Sequence, residues 1–325
     1  MPNNAPVARG YKTTCLLDFE TSFGVVPDTP AARRLPINTF SLNVSRAKNS
    51  AATLTGRRDP VEPFDGNAEC SGALTVPMDV RAFPWWLKLM FGEPVTTGTG
   101  EPAEAPYTHV FKPGDTGPSG IVQVTYGTTP ETYGKFSGCK VSSLSIQTGG
   151  DGELTATVNL AGRSGEFSQT NYHADAVLVP MKRLNNFQAA LKDGNAEIAT
   201  VTQFDLTVDN GLDTSIRTLG SKGMVYDIPE GIMSVTGTMT MLFTGLTMLE
   251  RAKNSTEMSL ELAWEIDSSN KITIKLPEVQ LQYQGPTVGG PTGVMAEYPF
   301  VAYHSDGADN ACLVATVVND VEAYV

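Results

Sequence analysis

Histidine, cysteine and positive charge are all scarce in this sequence. The three histidines (His109, His173, His304) are too few and too scattered for a His-rich metal site, and are expected on surfaces or interfaces. The four cysteines (Cys15, Cys70, Cys139, Cys312) form no C-x-x-C and have no histidine at ligand spacing, so they read as buried free thiols. Lys and Arg number 23 against 35 Asp and Glu, a formal charge of −12. A chain this acidic repels phosphate, and its densest basic clusters are only Arg33-Arg34 and Arg57-Arg58, which excludes an ordinary nucleic-acid reader. No apolar run approaches the roughly 20 residues that span a bilayer. Met1–Gly10 lacks the apolar core of a signal peptide, so synthesis and retention in the cytoplasm of the producing cell are expected.

Catalytic patterns are missing as well. G-x-S-x-G does not occur, and Gly289-Gly-Pro-Thr-Gly293 lacks the lysine of a phosphate-binding loop. Asp18 and Glu20 alternate on a strand-like stretch, which reads as a solvated face rather than a glycosidase pair. No catalytic, cofactor-binding or metal-binding residue is assigned, and the chain is read as a non-enzyme.

What the sequence does hold is alternation. Its 325 residues are 41% hydrophobic and 18% charged, enough for a real core in one large domain or two of ordinary size. Apolar and polar residues alternate over Phe40–Val44, Val141–Ile146, Leu154–Leu160, Phe204–Val208, Met258–Trp264, Lys271–Leu276 and Val279–Tyr283. Period two means one buried and one wet face, as in antiparallel sheets. Gly149-Gly-Asp-Gly152 falls between two such runs and predicts a hairpin turn. Helical signals are few. Pro84–Phe91 opens on proline and stops at Gly92; Leu246–Lys253 follows Thr244, a candidate cap, and ends at Asn254. Trp85, Trp86 and Phe91 are spaced to pack that first helix onto a sheet. Leu184–Lys192 is a third helix candidate whose opening also suits a strand.

These elements recur in order. Phe40-Ser-Leu-Asn-Val44 matches Phe204-Asp-Leu-Thr-Val208, and twelve residues beyond each valine stand Gly56 and Gly220. Cys70–Val76 matches Val235–Met241 with one residue of drift, a short helix follows each, and then come strands at Val141 or Val279 and the glycine pairs Gly149-Gly150 or Gly289-Gly290. The order predicts an internal duplication, with domains at residues 1–172 and 173–325 joined through a polar, turn-rich stretch. An insertion rich in Gly, Pro and Thr, Glu93–Pro106, has no counterpart in the second half and reads as an exposed loop.

Ser71–Val76, the helix and its exit Pro84–Pro94, Tyr107–Pro113, the Pro118-Ser119 turn and the strand Ile121–Tyr126 together resemble the tail tube proteins of long-tailed bacteriophages, in the subgroup with two tube domains per chain. The resemblance covers most of the chain and is clearest over 40–165. It implies a mainly β fold of two tandem β-sandwich domains, each with a short flanking α-helix. It further implies a structural virion protein that polymerises into stacked rings around a pore through which DNA passes without specific binding. The partners it implies are further copies of the chain, in trimers of pseudo-sixfold symmetry or in hexamers, with the duplication favouring three. The tape measure protein and the tail terminator and tip proteins are also implied; cofactors and membranes are not. The family's ring-contacting loop corresponds to Ser45–Glu69, with Asp209–Gly231 as its partner in the second half.

Sheet edges left in solvent invite pairing, and closing a ring removes them. Met258–Trp264 and Lys271–Leu276 carry few blunting charges and suit ring-forming strands, although central strands have the same pattern. A β-sandwich that binds glycan or decorates a capsid or cell surface is the alternative. It calls for aromatic platforms on loops, whereas Trp85, Trp86 and Trp264 fall in regular elements.

Overall fold

A computed structural model describes residues 7–98 and 106–324. Alternation becomes strand throughout. In chain order the first half has β1 (Thr14–Phe19), β2 (Arg33–Leu35), β3 (Thr39–Phe40), β4 (Asn43–Asn49), β5 (Phe64–Pro77), helix α1 (Phe83–Phe91), β6 (Val95–Thr97), β7 (Tyr107–Phe111), β8 (Gly120–Thr125), β9 (Tyr133–Thr148), β10 (Thr155–Gly162) and β11 (Ser164–Ser168). The second half has β12 (Ala189–Asp193), β13 (Ala196–Glu197), β14 (Val201–Asp209), β15 (Ser234–Leu242), helix α2 (Thr247–Lys253), β16 (Met258–Asp267), β17 (Asn270–Leu281), β18 (Met295–Tyr303) and β19 (Val314–Asn319). All ladders between these strands are antiparallel, and the fold is mainly β.

Two long strands each serve two layers. The first part of β9 lies in an outer layer ordered β2–β1–β8–β9–β11, and its second part lies in an inner layer beside β10. In the same way β17 begins in an outer layer ordered β13–β12–β16–β17–β19–β7–β6 and ends beside β18. The layers enclose one continuous apolar cluster that runs through both halves. Phe40 on the inner layer meets Phe136 on the outer one with ring centroids 5.9 Å apart. The predicted turn at Gly149–Gly152 joins β9 to β10.

Helix α1 begins with proline in its first turn, where a missing N–H costs nothing, and ends at Gly92. There φ is +91°, and the N–H of Gly92 donates to Lys88 O at 2.8 Å. Every residue of α1 except Lys88 is buried, as its all-round apolar sequence requires. Lys88 escapes sideways: its ammonium lies 4.4 Å from the Phe19 ring centroid and pairs with Glu93 at 2.6 Å. Helix α2 is its exposed counterpart, burying only Ala252. Leu246 stands at its N-cap without a side-chain cap bond, so Thr244 does not cap it as expected.

Other expectations are overturned. Leu184–Lys192 is not a helix: a single 3₁₀ turn (Asn186–Gln188) leads into β12, because Ala189–Asp193 finds a ladder partner in β16, Trp264 back to Leu260. Met258–Trp264 and Lys271–Leu276 are central strands, paired on both sides within the chain, so neither offers a free edge. In the insertion after α1, β6 is exposed and pairs with β7; residues 99–105 lie outside the described residues.

Candidate functional site

The inner layers of the two halves join into one sheet. Its order is β4–β5–β10–β9–β14–β15–β18–β17, with β3 continuing the β4 edge, and the halves meet where β9 pairs with β14. Register runs unbroken across this junction. One row reads Phe40, Leu74, Val158, Leu144, Val208, Val235, Ala302, Val279, and all but the half-buried Phe40 are buried. The neighbouring row reads Thr39, Thr75, Thr157, Ser145, Thr207, Thr236, Val301, Gln280, and none of these is buried. Period two has placed apolar side chains on one face and hydroxyls and amides on the other.

Among the described residues the three central rows of this face carry no lysine or arginine; one row further out stands Lys140, opposite Ala161, with its ammonium paired to Glu230. Beside the hydroxyl row stand Ala73, Asn159, Ser143, Asp209 and Ser234 on one side, and Gln147, Asp205, Thr238 and Pro299 on the other. Its side chains hold one another: Thr39 Oγ1 donates to Thr75 Oγ1 at 2.8 Å, Asn159 Nδ2 to Ser143 Oγ at 2.9 Å, and Ser145 and Thr207 hydroxyls lie 3.1 Å apart. The charge of these rows is negative, from Asp205 and Asp209, with Glu297 one row further out. A cationic or phosphate-gripping surface would be built the other way.

Both edges of this sheet are open among the described residues. β4 pairs with β5 alone, and the end of β17 pairs with β18 alone beyond Val279. The edge of β4 continues into a hairpin arm closed by Asn49 opposite Phe64, with residues 50–63 almost wholly exposed beyond it. The Ser45–Glu69 segment is therefore largely a two-stranded arm. Asp209–Gly231 behaves differently and folds back on the first half. Val225 and Ile228 pack on Ala161, the Ala68 N–H donates to Gly223 O at 2.9 Å, and Arg217 reaches Ala68 O at 3.3 Å. Lys140 Nζ donates to Ile228 O at 2.9 Å and to Glu230 Oε1 at 2.8 Å, and Glu230 also accepts the Gly117 N–H.

The polar residues screened for chemistry are spent on structure. Asp18 is buried, not on a solvated face: it accepts from the N–H groups of Phe19 and Ala31 and from the Tyr172 hydroxyl. Glu20 accepts from the Gly24 and Gly138 N–H groups and from Ser119 Oγ, while burial raises its pKa. His109 is fully buried rather than at a surface, held by Thr96 Oγ1 at 2.9 Å and Val321 O at 2.8 Å, with burial lowering its pKa. It packs edge-on to Tyr324, which also meets Trp85 of α1. Cys15, Cys70 and Cys139 are buried free thiols and Cys312 is half-buried; burial pushes Cys15 and Cys70 up to about 12. No signal in the sequence separated these buried polar residues from exposed ones.

The inner sheet thus joins a polar face, free of cations over its central rows, to two open edges. The family model described as phage tail tube protein matches residues 10–302. The chain belongs to that family. It is thus a structural tail tube protein and a virion component, in keeping with its mainly β fold. No curated protein matches the chain. No helix among the described residues of this tail tube protein is long and apolar enough to cross a membrane.

Proposed function

We propose that this protein polymerises edge to edge into rings of three copies, which stack into the hollow tube through which phage DNA passes. The observation that carries the reading is the eight-stranded inner sheet with both edges open. Three copies supply twenty-four strands. With strands about 4.8 Å apart and tilted about 40°, such a barrel is about 48 Å across at the backbone, wide enough for duplex DNA after side chains are subtracted. The polar face, cation-free over its central rows, then lines the bore, where only charges within roughly 8 Å of the DNA matter. Two tandem modules, 1–172 and 173–325, account for the way β4–β5–β10 pairing recurs in β14–β15–β18. The role is structural and non-enzymatic. At its ends the tube would meet the tape measure protein and the terminator and tip proteins, assembling after synthesis in the host cytoplasm.

The alternative of a decorating or glycan-binding sandwich gains no platform from the tryptophans, because Trp85, Trp86 and Trp264 are all buried. Negative-stain microscopy of the purified protein under assembly conditions tests the reading. Hollow tubes of regular axial repeat are expected. Compact particles alone, with a tail initiator complex supplied, would overturn it.

A further inference from the structure

The seam between the halves is a template for the seam between copies. The strand pairs recur with constant displacement. Phe40↔Leu74, Asn43↔Ser71 and Ser45↔Glu69 become Phe204↔Met239, Thr207↔Thr236 and Asp209↔Ser234. Gly72↔Leu160 becomes Gly237↔Phe300, and Leu160↔Val141 becomes Phe300↔Leu281. On that displacement, Ser143–Thr148 of β9, the strand that accepts β14, corresponds to Tyr283–Val288 just beyond β17.

That segment is already in place. Gln282 N donates to Pro299 O at 2.7 Å, and an isolated bridge joins Thr287 to Met295. The bridge has the register found one step beyond Ala156↔Ile146 in the first half. Tyr283 and Val288 are 57% and 74% exposed, with no strand among the described residues on their outer side. At the opposite edge Ser41 N donates inward to Ala73 O, so alternation turns the N–H groups of Leu42, Val44 and Arg46 outward. That of Val44 is taken up by its neighbour's side chain, Asn43 Oδ1, at 2.9 Å.

We infer that Tyr283–Val288 of one copy and Phe40–Ser45 of the next form an antiparallel ladder in the register of the internal seam. Ser45 stands opposite Tyr283, Val44 opposite Gln284, and Asn43 opposite Gly285. This rests on the ring reading above and specifies its partner surface. Pro286 falls where Ile146 faces Leu206, so one ladder donor is missing there. A proline also keeps the unassembled edge from recruiting wrong strands.

Disulfide trapping tests the register. Asn210 N donates to Ser142 O, which makes Ser143/Asp209 a pair without backbone hydrogen bonds, where side chains approach closest. Ser45/Tyr283 inherits that geometry, within disulfide reach. Under tube-forming conditions with mild oxidant, the Ser45→Cys/Tyr283→Cys variant should cross-link between chains at least about tenfold faster than Ser45→Cys/Gly285→Cys or Asn43→Cys/Tyr283→Cys. Ser143→Cys/Asp209→Cys should cross-link only within a chain, and the single variants and parent not at all. If the first pair blocks assembly, Asn43→Cys/Gly285→Cys samples the same register. Faster trapping of an off-register pair in tubes seen by microscopy would overturn the register and leave the ring intact. Absence of tubes from the parent protein, with a tail initiator complex supplied, would instead sink the ring.

Discussion

Gly237 is the position where a single methyl group should cost most. It lies in β15 between β14 and β18, opposite Leu206 and Phe300. A Cβ built there would sit 2.0 Å from the carbonyl oxygen of Asp205 and 2.5 Å from the Phe300 ring. Neither neighbour can yield cheaply. The carbonyl belongs to the ladder that carries the inner sheet, and Phe300 is 2% exposed and stacked on Phe204 at 5.2 Å. Gly237→Ala should therefore fall at the upper end of overpacking, about 3 kcal/mol. With an unfolding entropy of about 2.1 cal/mol/K per residue, a chain of 325 residues loses about 4 °C in Tm. Gly245→Ala is the control, since nothing lies within 4 Å of a Cβ there, and its effect should stay within about 0.5 kcal/mol. Scanning calorimetry on unassembled protein compares the two. A Gly237→Ala variant melting within about 1 °C of the parent would refute the claim that β14, β15 and β18 are packed this tightly.

Other expectations follow from the same geometry. Burial pushes Glu230 up, but the Lys140 ammonium and the Gly117 N–H outweigh it and hold the carboxyl below its ordinary 4.5. Its stabilisation is thus complete above that value and lost as pH falls through the lowered folded pKa. The Tm gap between parent and Glu230→Gln should be constant from neutral pH to near 4.5 and narrow below it; a gap that widens in acid would contradict this. Trp86→Ala empties a site 2% exposed in α1 and should cost about 3–5 kcal/mol in urea unfolding. Thr157→Lys with Thr236→Lys places two cations per copy on the polar row. If that row lines the bore, tubes of the double variant should retain DNA at low salt with a log–log salt slope of about −5 for each ring of three that contacts it, and equal release from variant and parent tubes would place the row elsewhere.

Much of the fold was legible because alternation and punctuation are local. Phe40–Val44 and Phe204–Val208 announce half-buried strands, and Pro84 and Gly92 bracket a helix whose neighbours decide little. Leu184–Lys192, a helix candidate whose opening also suits a strand, shows a partner outweighing local preference: β16 offers Ala189–Asp193 a ladder, and helix propensity, worth tenths of a kcal/mol per residue, gives way. The two loops also looked alike in composition. Val225 and Ile228 found an apolar seat on Ala161 while residues 50–63 found none, which composition cannot foretell.

By itself the sequence determined that this is a β-protein with one wet face per strand, two short helices, recurring landmarks and the character of a tail tube protein. Tertiary structure alone decided which strands are edges. Side-chain alternation reports which face of a strand is buried, whereas an edge is a property of backbone N–H and C=O groups that every strand carries alike. Met258–Trp264 and Lys271–Leu276 therefore read as candidate edges and proved central, while β4 and the end of β17 were left open. Burial of Asp18 and His109, and half-burial of Glu20, was hidden for the same kind of reason: what makes a polar group tolerable inside is its hydrogen-bond partners, and those come from distant parts of the chain.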